Sequence, residues 1–244
     1  MTALLKCEHL QFGYEKSAFA DSMDFELQSG EVVALMGENG CGKSTLLKTM
    51  VGQIPALDGS VSLLQNDSRE ELVCLKNMDA RELAKRIALV RMSGITPDRM
   101  TVREFVSLGR SPYAGLFDGR SREDEKAIDD AISLLELKDF ENRMVASLSD
   151  GERSRVFLAE AVAQQVKILL LDEPNAFLDI PRSHKLFKLL RMLAAERGMG
   201  IVVSTHSVEY AERYCDRIMV ICDGNVGVEK ACDAREKGLL DWTE

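Results

Sequence analysis

An apolar run from Val32 to Met36 leads directly into Gly37-Glu38-Asn39-Gly40-Cys41-Gly42-Lys43-Ser44, which satisfies G-x-x-x-x-G-K-[ST] at every fixed position. This stretch constrains the fold because it works only as the turn between a strand and a helix. Polyphosphate has to be wrapped by backbone N–H groups, and glycines at 37, 40 and 42 let the chain come close and visit positive φ. Lys43 supplies a point charge to the β- and γ-phosphates, and the Ser44 hydroxyl is placed to hold Mg²⁺. A helix starting near Lys43 turns its positive dipole end toward the same anion. Leu46, Leu47, Met50 and Val51 give that helix an apolar face. The stretch predicts a nucleoside triphosphate site.

The composition narrows what such a site serves. With 244 residues, 45% of them hydrophobic and 29% charged, the chain has the make-up of a globular protein. A net charge of −9 and a pI near 5.1 argue against nucleic acid as a partner, since phosphate-backbone binding needs a basic patch. No apolar run is long enough to cross a bilayer, and the N-terminal residues lack a secretory pattern. The expected location is the cytosol, or the cytosolic side of a membrane protein. The six cysteines (Cys7, Cys41, Cys74, Cys215, Cys222, Cys232) show no C-x-x-C spacing, so a zinc site is not expected. Cys41 alone lies inside the phosphate loop, and its alkylation is expected to block nucleotide binding.

Taken in order, Leu4–Leu10 and Asp24–Leu27 read as strands, with Phe12-Gly13-Tyr14 in a turn between them. Tyr14 is a candidate to stack on a purine ring; the alternative is a core aromatic. After the first helix come a turn at 52–59, a strand at Ser60–Leu64, and a polar stretch at 66–80 that reads as a surface loop or short helix. Ala80–Arg86 looks helical and Ile87–Val90 extended. From Met92 to Ser147 the composition changes. Pro97 and Pro112 break the chain, Thr101–Glu104 has the form of a capping box, and Arg122–Leu137 is an amphipathic helix. Between Asp118 and Glu141 nine acidic residues stand against four basic ones, which reads as a solvated helix face. The segment 92–147 is expected to be a helical subdomain inserted into a nucleotide-binding core formed by 1–91 and 148–244.

The core resumes at Leu148-Ser149-Asp150-Gly151-Glu152 with a helix through about Gln165, then the unalternating aliphatic run Ile168–Leu171, suited to a strand buried on both faces. That run ends in Asp172-Glu173. Paired carboxylates are often plain surface charge, but at the C-terminal end of a central strand they stand where α/β folds collect ligands. Asp172 can hold Mg²⁺ directly or through water, and Glu173 can polarise an attacking water. A helix at His184–Arg197, a strand at Ile201–Ser204, a strand at Ile218–Cys222 and a short polar tail complete the chain. His206 follows a core strand and can reach the γ-phosphate, although a lone histidine is more often structural.

Together these motifs resemble the ATP-binding subunit of ABC transporters over nearly the whole chain. The phosphate loop at 37–45, LSDGE at 148–152, ILLLDEP at 168–174, the aspartate of FLD at Asp179 and His206 stand in that family's order and at about its spacing. The stretch TVREFVSLGRSPYAGLF and the later DEPNAFLDI look most like importers of iron-siderophores, haem or cobalamin. The resemblance implies a P-loop NTPase core of α/β class. Its sheet would be mostly parallel with flanking helices and an N-terminal antiparallel β-layer, interrupted by the helical subdomain. It implies ATP and Mg²⁺ as ligands, with Glu38, Asn39, Gly40, Cys41, Gly42 and Thr45 contributing to the loop around the phosphates. It further implies a head-to-tail homodimer in which Ser149 and Gly151 of one chain meet the γ-phosphate held by Lys43 and Ser44 of the other. Asp179 would lie at the seam, Glu173 would be the general base and His206 would sense the γ-phosphate. Membrane permease subunits would dock on the helical insert at the cytoplasmic face of the membrane, with a substrate-binding protein as an indirect partner.

Two positions depart from the family pattern. Members usually carry glutamine just after the strand that here is Ile87–Val90, whereas this chain has Arg91-Met92, and methionine does not coordinate hard Mg²⁺. Slow hydrolysis with ATP binding largely kept is the expectation. Asp150 also stands where glycine is common, adding a carboxylate near an anionic ligand. A soluble ABC-type ATPase acting as an assembly scaffold or regulator is the competing reading; the importer-like 101–117 stretch speaks against it. A P-loop kinase or GTPase has no role for LSDGE, and the chain has no N-K-x-D segment.

Overall fold

The computed structural model describes residues 2–15, 17–66, 71–91, 97, 99–115, 119–176 and 178–243. The chain begins with β1 (Ala3–Gln11), a hairpin of β2 (Gly13–Tyr14) and β3 (Ser17–Ala18), and β4 (Met23–Gln28); β5 (Val32–Gly37) then runs through the loop into α1 (Lys43–Met50). Next come β6 (Asp58–Asn66), β7 (Glu71–Cys74), α2 (Ala80–Ala84) and β8 (Ile87–Arg91), followed by α3 (Val102–Ser107), α4 (Arg122–Leu134) and α5 (Asp150–Ala163). The remaining elements are β9 (Ile168–Asp172), α6 (Ile180–Arg197), β10 (Gly200–Ser204), α7 (Val208–Tyr214), β11 (Arg217–Cys222) and β12 (Asn225–Lys230).

The central sheet has the order β12-β11-β5-β10-β9-β8, parallel except for β12 at one edge. A second, antiparallel sheet has the order β4-β1-β6-β7. The core strands are apolar on both faces because both are covered. Val32, Ala34, Met36, Leu169, Leu171, Ile201 and Val203 face one apolar cluster with the helices. Val33, Leu35, Ile168, Leu170 and Val202 face another shared with α1 and the antiparallel sheet. Register pairs Ser204 with Leu35 and Val203 with Leu171, so the C-terminal ends of β5, β9 and β10 lie side by side. The phosphate loop, Asp172-Glu173 and His206 therefore leave the sheet at one end.

Several local expectations are corrected. Gly13–Tyr14 is a strand rather than a turn: it pairs with Ser17–Ala18 so closely that a Cβ at Gly13 would fall 2.0 Å from the Ser17 carbonyl oxygen. In the polar stretch 66–80, Glu71–Cys74 is a fourth strand on the antiparallel sheet, followed by a 3₁₀ turn at Leu75–Asn77. The helix over 122–137 stops at Leu134, because Glu136 takes a left-handed φ of 54°, and α5 stops at Ala163 for the same reason at Gln165 (φ 58°). The helix expected from His184 begins at Ile180, with Asp179 accepting the Arg182 N–H and Pro181 in the first turn. Neither α7, between β10 and β11, nor β12, in the tail, was expected.

The acidic face of α4 is not simply solvated. Arg103 on α3 bridges Glu125, Asp129 and Glu141, and Asp124 is buried against Arg110 at 2.8 Å. Burial pushes the Asp124 carboxyl up, but hydrogen bonds from Arg110 and Ser121 outweigh it and hold it below the usual range. The predicted capping box closes at Thr101–Glu104, and a second one, not predicted, closes at the signature between Ser149 and Glu152. α3 and α4 pack on α5, whose other neighbours include β8.

Candidate active site

The loop between β5 and α1 has the conformation its glycines predict. Gly37, Gly40 and Gly42 have φ of 140°, 83° and 105°. At Gly37 a Cβ would lie 2.4 Å from the Ile221 carbonyl oxygen and 2.8 Å from Cys41 Sγ; at Gly42 it would lie 2.6 Å from the Phe19 ring. Neither position has room for a side chain. Glu38, Asn39 and Gly40 are exposed, Cys41 and Ser44 are partly buried, and Lys43 and Thr45 are buried. The Lys43 ammonium donates to the Gly37 and Glu38 carbonyls, both at 2.8 Å, which leaves its third N–H for an anion in the loop. Tyr14 is 49% exposed and meets Phe19 edge-on, with centroids 6.2 Å apart. Since Phe19 covers Gly42, this places an open aromatic face beside the loop.

Across the strand ends, the Ser204 hydroxyl at the tip of β10 accepts the Glu173 N–H at 2.7 Å and donates to Asp172 Oδ1 at 3.1 Å. Glu173 Oε1 lies 3.1 Å from His206 Nε2, and Glu173 takes a left-handed φ of 50°. α1 packs against β9, bringing the helix that starts with Lys43 and Ser44 over the strand that ends in Asp172. A serine hydroxyl and a carboxylate are hard oxygen donors of the kind Mg²⁺ takes. Ser204 and Phe19 were not among the residues singled out from sequence. The one signal for Ser204 was a polar residue closing an otherwise apolar strand.

A second group forms elsewhere on the chain. Ser149 spends its hydroxyl on its own helix, bonded to Glu152 at 2.8 Å, and these bonds, backbone first, hold the Glu152 carboxyl below the usual range. A Cβ on Gly151 would lie 3.0 Å from an Arg182 nitrogen, and Arg182 pairs with Asp179 at 3.7 Å. Among the described residues no hydrogen bond or ion pair joins this group to the phosphate loop or to Asp172, Glu173 and His206. The Asp150 side chain is exposed and paired with Arg153 at 3.5 Å. Register sets Arg91 beside Asp172, but Met92, at the family's usual glutamine position, lies outside the described residues.

Residues 20–176 match the family model described as ABC transporter. The chain belongs to the ABC transporter family. It is 34% identical over 229 residues, covering 94% of this chain and 82% of the relative, to the ferric enterobactin transport ATP-binding protein FepC of Escherichia coli strain K12. It is 37% identical over 206 residues, covering 84% and 70%, to the hemin import ATP-binding protein HmuV of Streptomyces coelicolor. Among solved structures, the dimeric ABC transporter cassette MJ0796 superposes with a TM-score of 0.78 at 28% identity, covering 93% of this chain and 99% of that one. This ABC-family chain is accordingly an ATPase whose hydrolysis of ATP is coupled to transport.

Proposed function

We propose that this chain powers an importer of metal chelates, of the iron-siderophore, haem or cobalamin class, as a head-to-tail homodimer on the cytoplasmic face of a membrane permease. The carrying observation is the separation of the site into two groups: the loop and carboxylates at the sheet edge, and Ser149, Gly151 and Asp179 away from them. Each group fits what the other lacks. Ile180, next to Asp179, is 68% exposed, as suits an apolar residue that a second chain covers. No helix among the described residues is long and apolar enough to cross a membrane. The relatives' names supply the cargo class: ferric enterobactin for one and hemin for the other.

In this reading Lys43 and the amides of Gly37–Thr45 bind the triphosphate, and Tyr14 stacks on the adenine. Ser44 and Asp172 hold Mg²⁺, which when bound supplies charge neutralisation at the phosphates. Glu173 takes the proton of the attacking water while His206, bonded to its carboxylate, keeps it oriented toward the γ-phosphate. Ser149 and Gly151 of the second chain close over that phosphate, and Asp179 lines the seam. The segment 92–147 forms the insert on which the permease docks. Met92 removes the usual glutamine link, so turnover is slow; Met92→Gln is expected to raise the ATPase rate of the permease-bound protein severalfold, and an unchanged rate would refute that role.

The test of the whole reading is a gentle-detergent pull-down of the tagged chain from its native membranes, with partners identified by mass spectrometry. A polytopic permease is the expected partner. Recovery of soluble proteins only would overturn the importer assignment.

A further inference from the structure

We propose that Ser204 is a positioning residue of the hydrolytic site, whose hydroxyl fixes the carboxylate of Asp172 and the backbone of Glu173 against one another. The inference rests on the roles given above to those two residues. Ser204 ends β10, where Gly200–Val203 are apolar and fully covered, and it is itself completely buried. A buried hydroxyl is costly unless its hydrogen bonds are made. Both are made here, and their directions follow from the groups involved. The Glu173 N–H can only donate, so the Ser204 oxygen accepts it at 2.7 Å; an ionised Asp172 can only accept, so the one hydroxyl proton goes to Oδ1 at 3.1 Å.

The need for such a tie lies in the backbone. Glu173 sits at φ 50°, a conformation that a side-chain-bearing residue holds only when its surroundings over-determine it. Three contacts from one strand end supply this: Ser204 to the Glu173 amide, Ser204 to Asp172, and His206 to the Glu173 carboxylate at 3.1 Å. An apolar residue at 204 leaves a buried N–H without a partner and lets the Asp172 carboxylate turn. Nothing in the phosphate loop depends on this hydroxyl, whose bonds go to the other side of the site. Ser204 therefore separates two properties that most site residues share: grip on the triphosphate, and alignment of the metal-holding and water-polarising carboxylates.

The experiment uses the full chain and the variants Ser204→Ala, Ser204→Thr and Glu173→Gln. Three quantities are read: ATP affinity in EDTA, Mn²⁺ affinity in the presence of ATP by electron paramagnetic resonance, and turnover. Ser204→Ala is expected to leave ATP affinity in EDTA unchanged while weakening Mn²⁺ binding and turnover by about tenfold each, the usual effect of losing a residue that orients a ligand. Ser204→Thr, which keeps the hydroxyl on a strand-compatible side chain, restores both. Wild-type Mn²⁺ affinity and turnover in Ser204→Ala would overturn the proposal, as would failure of threonine to restore them at an unfolding midpoint equal to that of alanine. Glu173→Gln is expected to abolish turnover. Wild-type turnover in that variant would overturn the parent reading together with this one, whereas a dead Glu173→Gln beside a normal Ser204→Ala would sink the role of Ser204 alone.

Discussion

The phosphate loop and the signature segment, which the proposed mechanism joins in one reaction, are built in opposite ways. The loop is complete within the chain: its glycines press on the Ile221 carbonyl and the Phe19 ring, and Lys43 is buried across its carbonyls. The signature is finished only locally. Ser149 closes a capping box with Glu152, Asp150 turns outward to Arg153, and Gly151 leans on Arg182. On the proposed reading the difference teaches that nucleotide grip is a property of one chain, whereas hydrolysis waits for a second chain to bring its signature.

The strongest way to break the comparison is Lys43→Ala. It removes a charge-assisted contact, and ATP affinity of the isolated chain is expected to fall on the order of a hundredfold, ~3 kcal/mol, in a nucleotide titration. Retained affinity would mean that the loop amides alone hold the ligand.

A second difference lies along α5 itself, which shows its signature to solvent at one end and hides Glu160 near the other, beside the close approach of Gly109. Burial raises the Glu160 carboxyl to about 7 from an ordinary 4.5. Between those pH values the unfolded chain has released a proton that the folded chain keeps. Stability therefore falls as pH rises through this window and levels off above it. Glu160→Gln should remove that fall and be more stable than the wild type at pH 8 by roughly 2 kcal/mol, as denaturant midpoints at pH 5 and 8 would read. Equal pH slopes in the two proteins would contradict the burial of this group.

Smallest of the three is Ser149→Ala. Loss of the cap costs about 1 kcal/mol of stability. ATP affinity of the single chain should not change, while ATP-driven association weakens; a matching drop in single-chain affinity would erase the distinction between the two regions.

Much of this contrast was legible from residue order. Positions 37–44 are dictated by phosphate chemistry, and Val32–Met36, Ile168–Leu171 and Ile201–Val203 declare buried strands by unbroken aliphatic runs, so the sheet edge and its motif residues followed. The Thr101–Glu104 capping box was legible because it is local. What escaped lacked a local signal. The helix ends at Glu136 and Gln165 use left-handed backbone without glycine, and β7 and β12 are short edge strands defined by their partners. Ser204 bonds to residues 31 and 32 positions away, a relation no pattern along the chain expresses. The Asp124–Arg110 pair hid inside an acidic run for the same reason.

The most direct test is the solution mass of Glu173→Gln, expected to bind ATP without turning it over, measured by light scattering with and without Mg²⁺ and ATP. We expect a species at the chain's own 27.1 kDa without nucleotide and one of twice that mass with it, reverting when Ser149 and Gly151 are also replaced. A single-chain mass at saturating ATP, with binding confirmed on the same sample, would contradict the shared site.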